Sequence, residues 1–123
     1  KKDYFVALLN LGKLYFSRKQ ADSAVLVLTN AVKVTPDSAD AQRYLGEAYL
    51  LEKKNSLAVA HLNEAIKRAP MDMADVHLRL AALYDAAKMR EKAAAEYKAF
   101  LAKRPDYAEK KQLEKYIADN LPK

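Results

Sequence analysis

His61 and His77 are the only histidines in this 123-residue chain, and cysteine is absent. These are the residue types from which general acid–base catalysis, nucleophilic catalysis or a transition-metal site would have to be built. The two histidines lie sixteen residues apart and fall on different helices, too far apart in pattern for a catalytic pair or a shared metal. Without cysteine there is no thiolate nucleophile, no disulfide framework and no thiolate ligand set. Ser17, Ser23, Ser38 and Ser56 have no histidine beside them to take a proton. The carboxylate pair Asp72 and Asp75 opens a helix, where the positive end of the helix dipole accounts for it. Only two glycines occur, Gly12 and Gly46, so no glycine-rich loop can cradle a phosphate. The chemistry-bearing residues therefore predict no catalytic residue, no metal and no cofactor: the chain reads as a non-enzyme.

The same two glycines show what the chain is built from. Leu11, Gly12, Tyr15, Ala24, Leu28, Ala31 and Pro36 recur 34 residues later as Leu45, Gly46, Tyr49, Ala58, Leu62, Ala65 and Pro70. A third copy, one residue late, reads Leu80, Ala81, Tyr84, Ala93, Tyr97, Phe100 and Pro105. A fixed period with small residues at fixed phases is the mark of a stacked repeat. Mid-helix glycine costs about 1 kcal/mol against alanine, so Gly12 and Gly46 predict close approach of the paired helices, with Ala24, Ala58 and Ala93 as the small residues opposite. Leu11, Leu45 and Leu80 then wedge between adjacent helices, and the three tyrosines fill the wider gap a turn later.

Apolar spacing of three and four residues predicts seven helices and no strand. The first runs from about Tyr4 to Arg18 after Asp3. The second follows Asp22 or Ser23 and stops at Pro36, since proline cannot donate the helical hydrogen bond. Asp37 or Ser38 opens the third, to about Lys53, and Asn55 or Ser56 the fourth, to about Ala69. Helices over 73–88 and 90–103 follow, and after Pro105 Asp106 caps a last one over 107–120. That last helix has one apolar stripe (Leu113, Tyr116, Ile117, Leu121) and is otherwise charged, as a terminal cap should be.

Residues, spacing and closing proline together resemble the tetratricopeptide repeat (TPR) family over residues 5–105. The fold expected is an all-α solenoid of three antiparallel helix hairpins plus a C-terminal solvating helix, in a single domain. Its repeats span about 5–38, 39–73 and 74–105, and the cap about 106–121. The sequence departs from the family pattern at the tryptophan-type phase (Leu8, Gln42, His77) and in the intra-repeat turn, where Lys19, Lys53 and Lys88 replace the usual glycine. The late-alanine phase of the third repeat holds Phe100, for which a covering cap helix is the reason expected.

The resemblance implies a non-catalytic module that binds a peptide segment of a partner protein in a concave groove lined by the first helix of each repeat. By phase that groove holds Asn10, Lys13, Arg43, Tyr44, Glu47 and Arg79, with Val6, Leu9, Phe16, Asp40, Leu50, Asp75, Leu78, Ala82 and Asp85 beside them. Tyr44 flanked by arginines has the composition of an interaction hot spot. In the family's chaperone-tail binders a lysine- and asparagine-rich clamp holds a terminal carboxylate. The corresponding phases here are Leu9, Lys13, Tyr44, Asp75 and Arg79, of which only Arg79 agrees, so a chaperone tail is not the expected ligand.

Two rival readings remain. One is a structural or oligomerisation segment of a larger solenoid. The first helix is apolar nearly all round, and Phe5, Val6, Leu9 and Phe16 exceed what its own hairpin can cover. They predict an interface there, with an upstream helix or with another copy. The other is a nucleic-acid-binding helical repeat, suggested by 22 basic against 16 acidic residues and a net charge of +6. It is disfavoured because basic and acidic residues are interspersed and the inner phases carry Asp40, Glu47, Asp75 and Asp85. No apolar run reaches the roughly 18 residues of a membrane span. The chain reads as a soluble part of a longer protein with no recognisable targeting signal, and it fixes neither compartment nor partner.

Overall fold

In the computed structural model, residues 2–122 are described. Among them the chain forms seven α-helices: α1 Lys2–Ser17, α2 Ala21–Val34, α3 Ala39–Leu51, α4 Asn55–Arg68, α5 Ala74–Ala86, α6 Arg90–Lys103 and α7 Lys110–Asn120. They divide into two compact units, Lys1–Pro70 and Met71–Lys123. In the first, α1 packs on α2, α2 on α3, α3 on α4, and α1 also meets α3. In the second, α5 packs on α6 and α6 on α7.

The repeat phases become the core of the first unit. Ala24 and Leu28 of α2 meet Leu45 and Ala48 of α3, all buried. Leu9, Tyr15, Phe16, Val25, Val32, Tyr44 and Tyr49 pack around them half-buried. Each buried leucine contributes about 1.5–3 kcal/mol. The glycines do mark close approaches, though the main neighbour is a leucine. A Cβ on Gly46 would sit 2.9 Å from Leu62 Cγ and 3.2 Å from the Ala58 carbonyl oxygen. A Cβ on Gly12 would sit 2.5 Å from Leu28 Cγ. Sixteen residues after Ala81, the same step leads to Tyr97, half-buried, where the other repeats have leucine. An alanine is therefore paired with a residue of different shape.

The intra-repeat turns are left-handed although no glycine is present. Lys19, Lys53 and Lys88 have φ of 59°, 60° and 63°. Each closes the same double hydrogen bond at its helix end. Gln20 N–H donates to Tyr15 O at 2.9 Å and Lys19 N–H to Phe16 O at 2.9 Å. Lys54 N–H to Tyr49 O and Lys53 N–H to Leu50 O, both 2.9 Å, repeat it. Met89 N–H to Tyr84 O (2.8 Å) and Lys88 N–H to Asp85 O (2.9 Å) do so a third time. This Schellman closure satisfies two orphan carbonyls and tolerates a non-glycine residue at a conformational cost. The lysine charge beside the negative helix end offsets part of it.

Several expected helix starts move; α1 already begins at Lys2, with Asp3 inside its first turn rather than capping it. The tight Lys19 turn brings α2 in at Ala21, with Gln20 at the cap position and no side-chain cap, so Asp22 lies inside the first turn. α5 begins at Ala74, behind Met73, which is 3 % exposed; Asp72 caps nothing. α7 begins at Lys110 because residues 104–109 form turns. There Tyr107 N–H donates to Arg104 O, and the Tyr107 ring lies edge-on to Phe100 at 4.9 Å. Phe100 is buried, and this turn tyrosine, just before the cap helix, packs on its ring. Ser38 caps α3 as expected, its Oγ accepting from Ala41 N–H at 3.1 Å.

Candidate partner-binding face

In the first unit the inner phases of α1 and α3 come together around Tyr44. The Phe16 ring meets the Tyr44 ring edge-to-face, centroids 5.9 Å apart, and the Lys13 ammonium lies 5.2 Å from the Tyr44 ring centre. An ammonium over an aromatic face is attracted by the ring quadrupole, by about 0.5–1 kcal/mol at an exposed site. The arrangement arises because Lys13 and Phe16 are one turn apart on α1 and because α1 touches α3. Asn10, one turn before Lys13, is exposed. Arg43 approaches Glu47, one turn on along α3, at 3.8 Å. Glu47 is 5 % exposed, so it anchors neighbouring groups and offers almost no surface of its own. That removes it from the directly touching residues that its phase predicts.

In the second unit Arg79 is exposed on α5 and borders a shallow depression of about 320 Å³ with Asp75, Leu78 and Ala82. All four come from one helix face at spacings of three and four residues.

The two histidines hold hairpins together. His61 Nδ1 is 2.8 Å from Gln42 Oε1 and its ring stacks on Tyr49 at 5.5 Å. Gln42 is 6 % exposed, and its Nε2 also donates to Pro36 O at 3.3 Å. His61 is therefore packed half-buried between α3 and α4. Burial lowers its pKa from the usual histidine value, opposed by the nearby Glu64 carboxylate. His77 Nδ1 meets Glu96 Oε1 at 2.7 Å, the corresponding bond of the third repeat with the histidine on the first helix of the hairpin instead of the second. Among the described residues no group of three or more histidine, cysteine or acidic side chains is arranged to hold a metal ion. Among them, too, no helix is long and apolar enough to cross a membrane.

Sequence reading missed one contact. The Tyr116 hydroxyl of α7 donates to Asp85 Oδ1 of α5 at 2.5 Å, and the Tyr116 ring lies edge-on to Tyr97 at 5.1 Å. The cap is thus tied to α5 as well as to α6. Burial, then the bond to Asp85, push the Tyr116 hydroxyl pKa up to about 12. The stripe position of Tyr116 was legible; its acceptor, 31 residues away, was not.

Of the four apolar residues that predict an interface on α1, only Val6 is exposed; Phe5, Leu9 and Phe16 are half-buried. Leu9 and Phe16 pack against the core of their own unit. The large apolar residues that α1 leaves exposed are Val6 together with Tyr4, Leu11 and Leu14, at 45, 57, 39 and 44 %. Leu11 is the correction of most consequence. Its equivalents Leu45 and Leu80 are 2 and 0 % exposed, whereas no described helix covers that face of α1.

Comparison with known families gives two matches, both to models described as tetratricopeptide repeat, over residues 9–72 and 75–107. The chain belongs to the tetratricopeptide repeat family. Solved TPR structures share its fold. The first TPR of Spaghetti (RPAP3), bound to the HSP90 peptide SRMEEVD, superposes with a TM-score of 0.79 at 22 % identity, covering 95 % of each chain. The Arabidopsis OM64 TPR domain gives 0.82 at 19 % identity, over 97 % of this chain and 98 % of the other. The TPR2B domain of yeast Sti1, in complex with an Hsp70 peptide, gives 0.78 at 20 % identity, covering 95 % of each chain. No curated protein matches this TPR chain in sequence.

Proposed function

We propose that this TPR chain is a non-catalytic protein-interaction module whose partner segment lies across α1 and α3 of the first unit, on Asn10, Lys13, Arg43 and Tyr44. The observation that carries the reading is the Tyr44 cluster: an aromatic ring half-buried against Phe16, with a cation over its face. Rigid aromatic anchors beside basic donors are what binding hot spots are made of. Asn10 and Lys13 add side-chain donors on the same face, matched to the backbone carbonyls and carboxylates of a peptide. Glu47 positions Arg43 from below. Arg79, exposed on α5, belongs to the second unit and borders the depression there with Asp75, Leu78 and Ala82.

The peptide-bound relatives support the class of ligand but not the ligand itself. At the clamp phases of the first unit this chain has Leu9, Lys13 and Tyr44, of which only Lys13 can offer an ammonium to a terminal carboxylate. An acidic tail such as SRMEEVD is therefore not the expected ligand. Selection of peptides from a random library, followed by binding to wild type and to Lys13→Ala with Tyr44→Ala, tests the reading. The expected loss in the variant is about 2 kcal/mol or more with the fold intact. Unchanged affinity, or tight binding of SRMEEVD, would refute it.

A further inference from the structure

The third repeat begins one residue late, and the structure shows where the extra residue goes. α3 starts three residues after Pro36, whereas α5 starts four residues after Pro70. Met73 takes the cap position that Ser38 holds one repeat earlier. Its carbonyl accepts from His77 N–H at 3.2 Å, as the Ser38 carbonyl accepts from Gln42 N–H at 3.1 Å. The Met73 side chain is buried, at 3 % exposure. The surplus residue is therefore taken up at Met71 and Asp72, both exposed, and Met71 projects from the turn at 83 %. Among the large apolar side chains described, that is the highest exposure; Leu26 follows at 67 %. Two thioethers two residues apart thus sit in opposite surroundings.

We propose that Met71 is a site of reversible oxidation by peroxide, with Met73 held reduced beside it. The Met71 sulfur attacks one oxygen of hydrogen peroxide with a lone pair. A sulfur–oxygen bond forms and the O–O bond breaks. The departing hydroxide removes the proton from the transferred oxygen and leaves as water. Sulfur loses two electrons to the peroxide, and no other co-reactant is needed. The oxidant must reach the sulfur, which exposure allows at Met71 and burial denies at Met73. Met89, 41 % exposed at the cap position of α6, is intermediate. At Met71 the polar sulfoxide replaces an apolar side chain that already stands in water, so no packing is lost. At Met73 the same product would bury a polar group at the start of α5. The Met71 sulfoxide is equally open to the reverse reaction, reduction by a thiol-dependent sulfoxide reductase. The inserted turn thereby carries a surface group that changes between apolar and polar while the helices beside it stay folded.

Timed exposure of the full chain to hydrogen peroxide, read by mass spectrometry of proteolytic fragments, tests this. Met71 should be oxidised first and Met89 second, with Met73 about tenfold or more slower than Met71, through local opening. Protein oxidised at Met71 alone should keep the wild-type urea midpoint. It should return to the reduced mass with a methionine sulfoxide reductase and a thiol. Met71→Leu should abolish the fast phase and leave the Met73 rate unchanged. In urea above the unfolding transition, the Met71 and Met73 rates should converge. Equal rates at Met71 and Met73 in the folded chain overturn the proposal. So does a lower urea midpoint once Met71 alone is oxidised, or a Met71 sulfoxide that the reductase leaves untouched in folded protein.

Discussion

Replacing Gly46 by alanine should destabilise this protein, although the same change in an ordinary helix interior stabilises it by about 1 kcal/mol. The new Cβ would lie 2.9 Å from Leu62 Cγ, 3.0 Å from Leu62 Cδ2 and 3.2 Å from the Ala58 carbonyl oxygen. Cγ is the branch point of a side chain that is 0 % exposed, and Ala58 O belongs to the backbone of the facing helix, so neither can step aside freely. Overpacking of this kind costs about 1–3 kcal/mol. Set against the gain in helix propensity, the expected net loss is about 1 kcal/mol. Gly12→Ala should lose more, because its Cβ would lie 2.5 Å from Leu28 Cγ. The diagnostic measurement is the sign reversal. In a Leu62→Ala background, itself about 2–5 kcal/mol less stable, the obstruction is gone, and Gly46→Ala should stabilise by up to about 1 kcal/mol. Urea unfolding followed by circular dichroism gives all four corners of the cycle. A Gly46→Ala effect of the same sign in both backgrounds would refute the steric account of the glycines.

The turn lysines give a second expectation: Lys53→Gly should raise the urea midpoint, by up to about 1 kcal/mol in stability, by removing the left-handed penalty at φ 60°. No rise would mean that the charge at the helix end compensates fully. His61 makes acid unfavourable. Its folded pKa lies below the unfolded value of 6.5, so the unfolded chain binds the proton first. This contribution is complete above about pH 6.5 and is lost as pH falls through the lower folded value. Urea midpoints between pH 5 and 8 should therefore converge for wild type and His61→Gln towards the acid end, and a constant gap would contradict this. Tyr116 works in the opposite direction. Its folded pKa is raised to about 12, so its contribution is present below the usual value near 10 and lost as pH rises through 12. Tyr116→Phe should remove that alkaline dependence and cost under about 1.5 kcal/mol near neutrality; a variant with unchanged stability at both pH values would show that the Asp85 bond contributes nothing.

Fold was legible because it rests on residue types with few alternatives. A mid-helix glycine, a phase-locked alanine and a terminal proline each have one good physical reason, and three copies of the pattern located six of the seven helices. What was hidden came from conformations and contacts that residue type does not specify. Lysine rarely adopts positive φ, so the identity of the Lys19, Lys53 and Lys88 turns followed only from their backbone hydrogen bonds. The start of α7 was obscured because Tyr107 packs on Phe100 instead of continuing a helix. At the candidate face, repeat phase correctly put Lys13, Phe16 and Tyr44 on one surface. Phase could not show that Glu47 is buried, since a carboxylate one turn from an arginine on a helix is ordinarily a solvated pair. Nor could it separate Leu11 from Leu45 and Leu80, which differ only in whether a neighbouring helix covers them.

Mapping a library-selected peptide by backbone amide chemical shifts tests the central claim most directly. The account predicts the largest perturbations within the first unit at residues 10–16 of α1 and 43–50 of α3, and their loss together with binding in the Lys13→Ala, Tyr44→Ala variant. Perturbations centred on α2, α4 or α7, with binding undiminished in that variant, would contradict it.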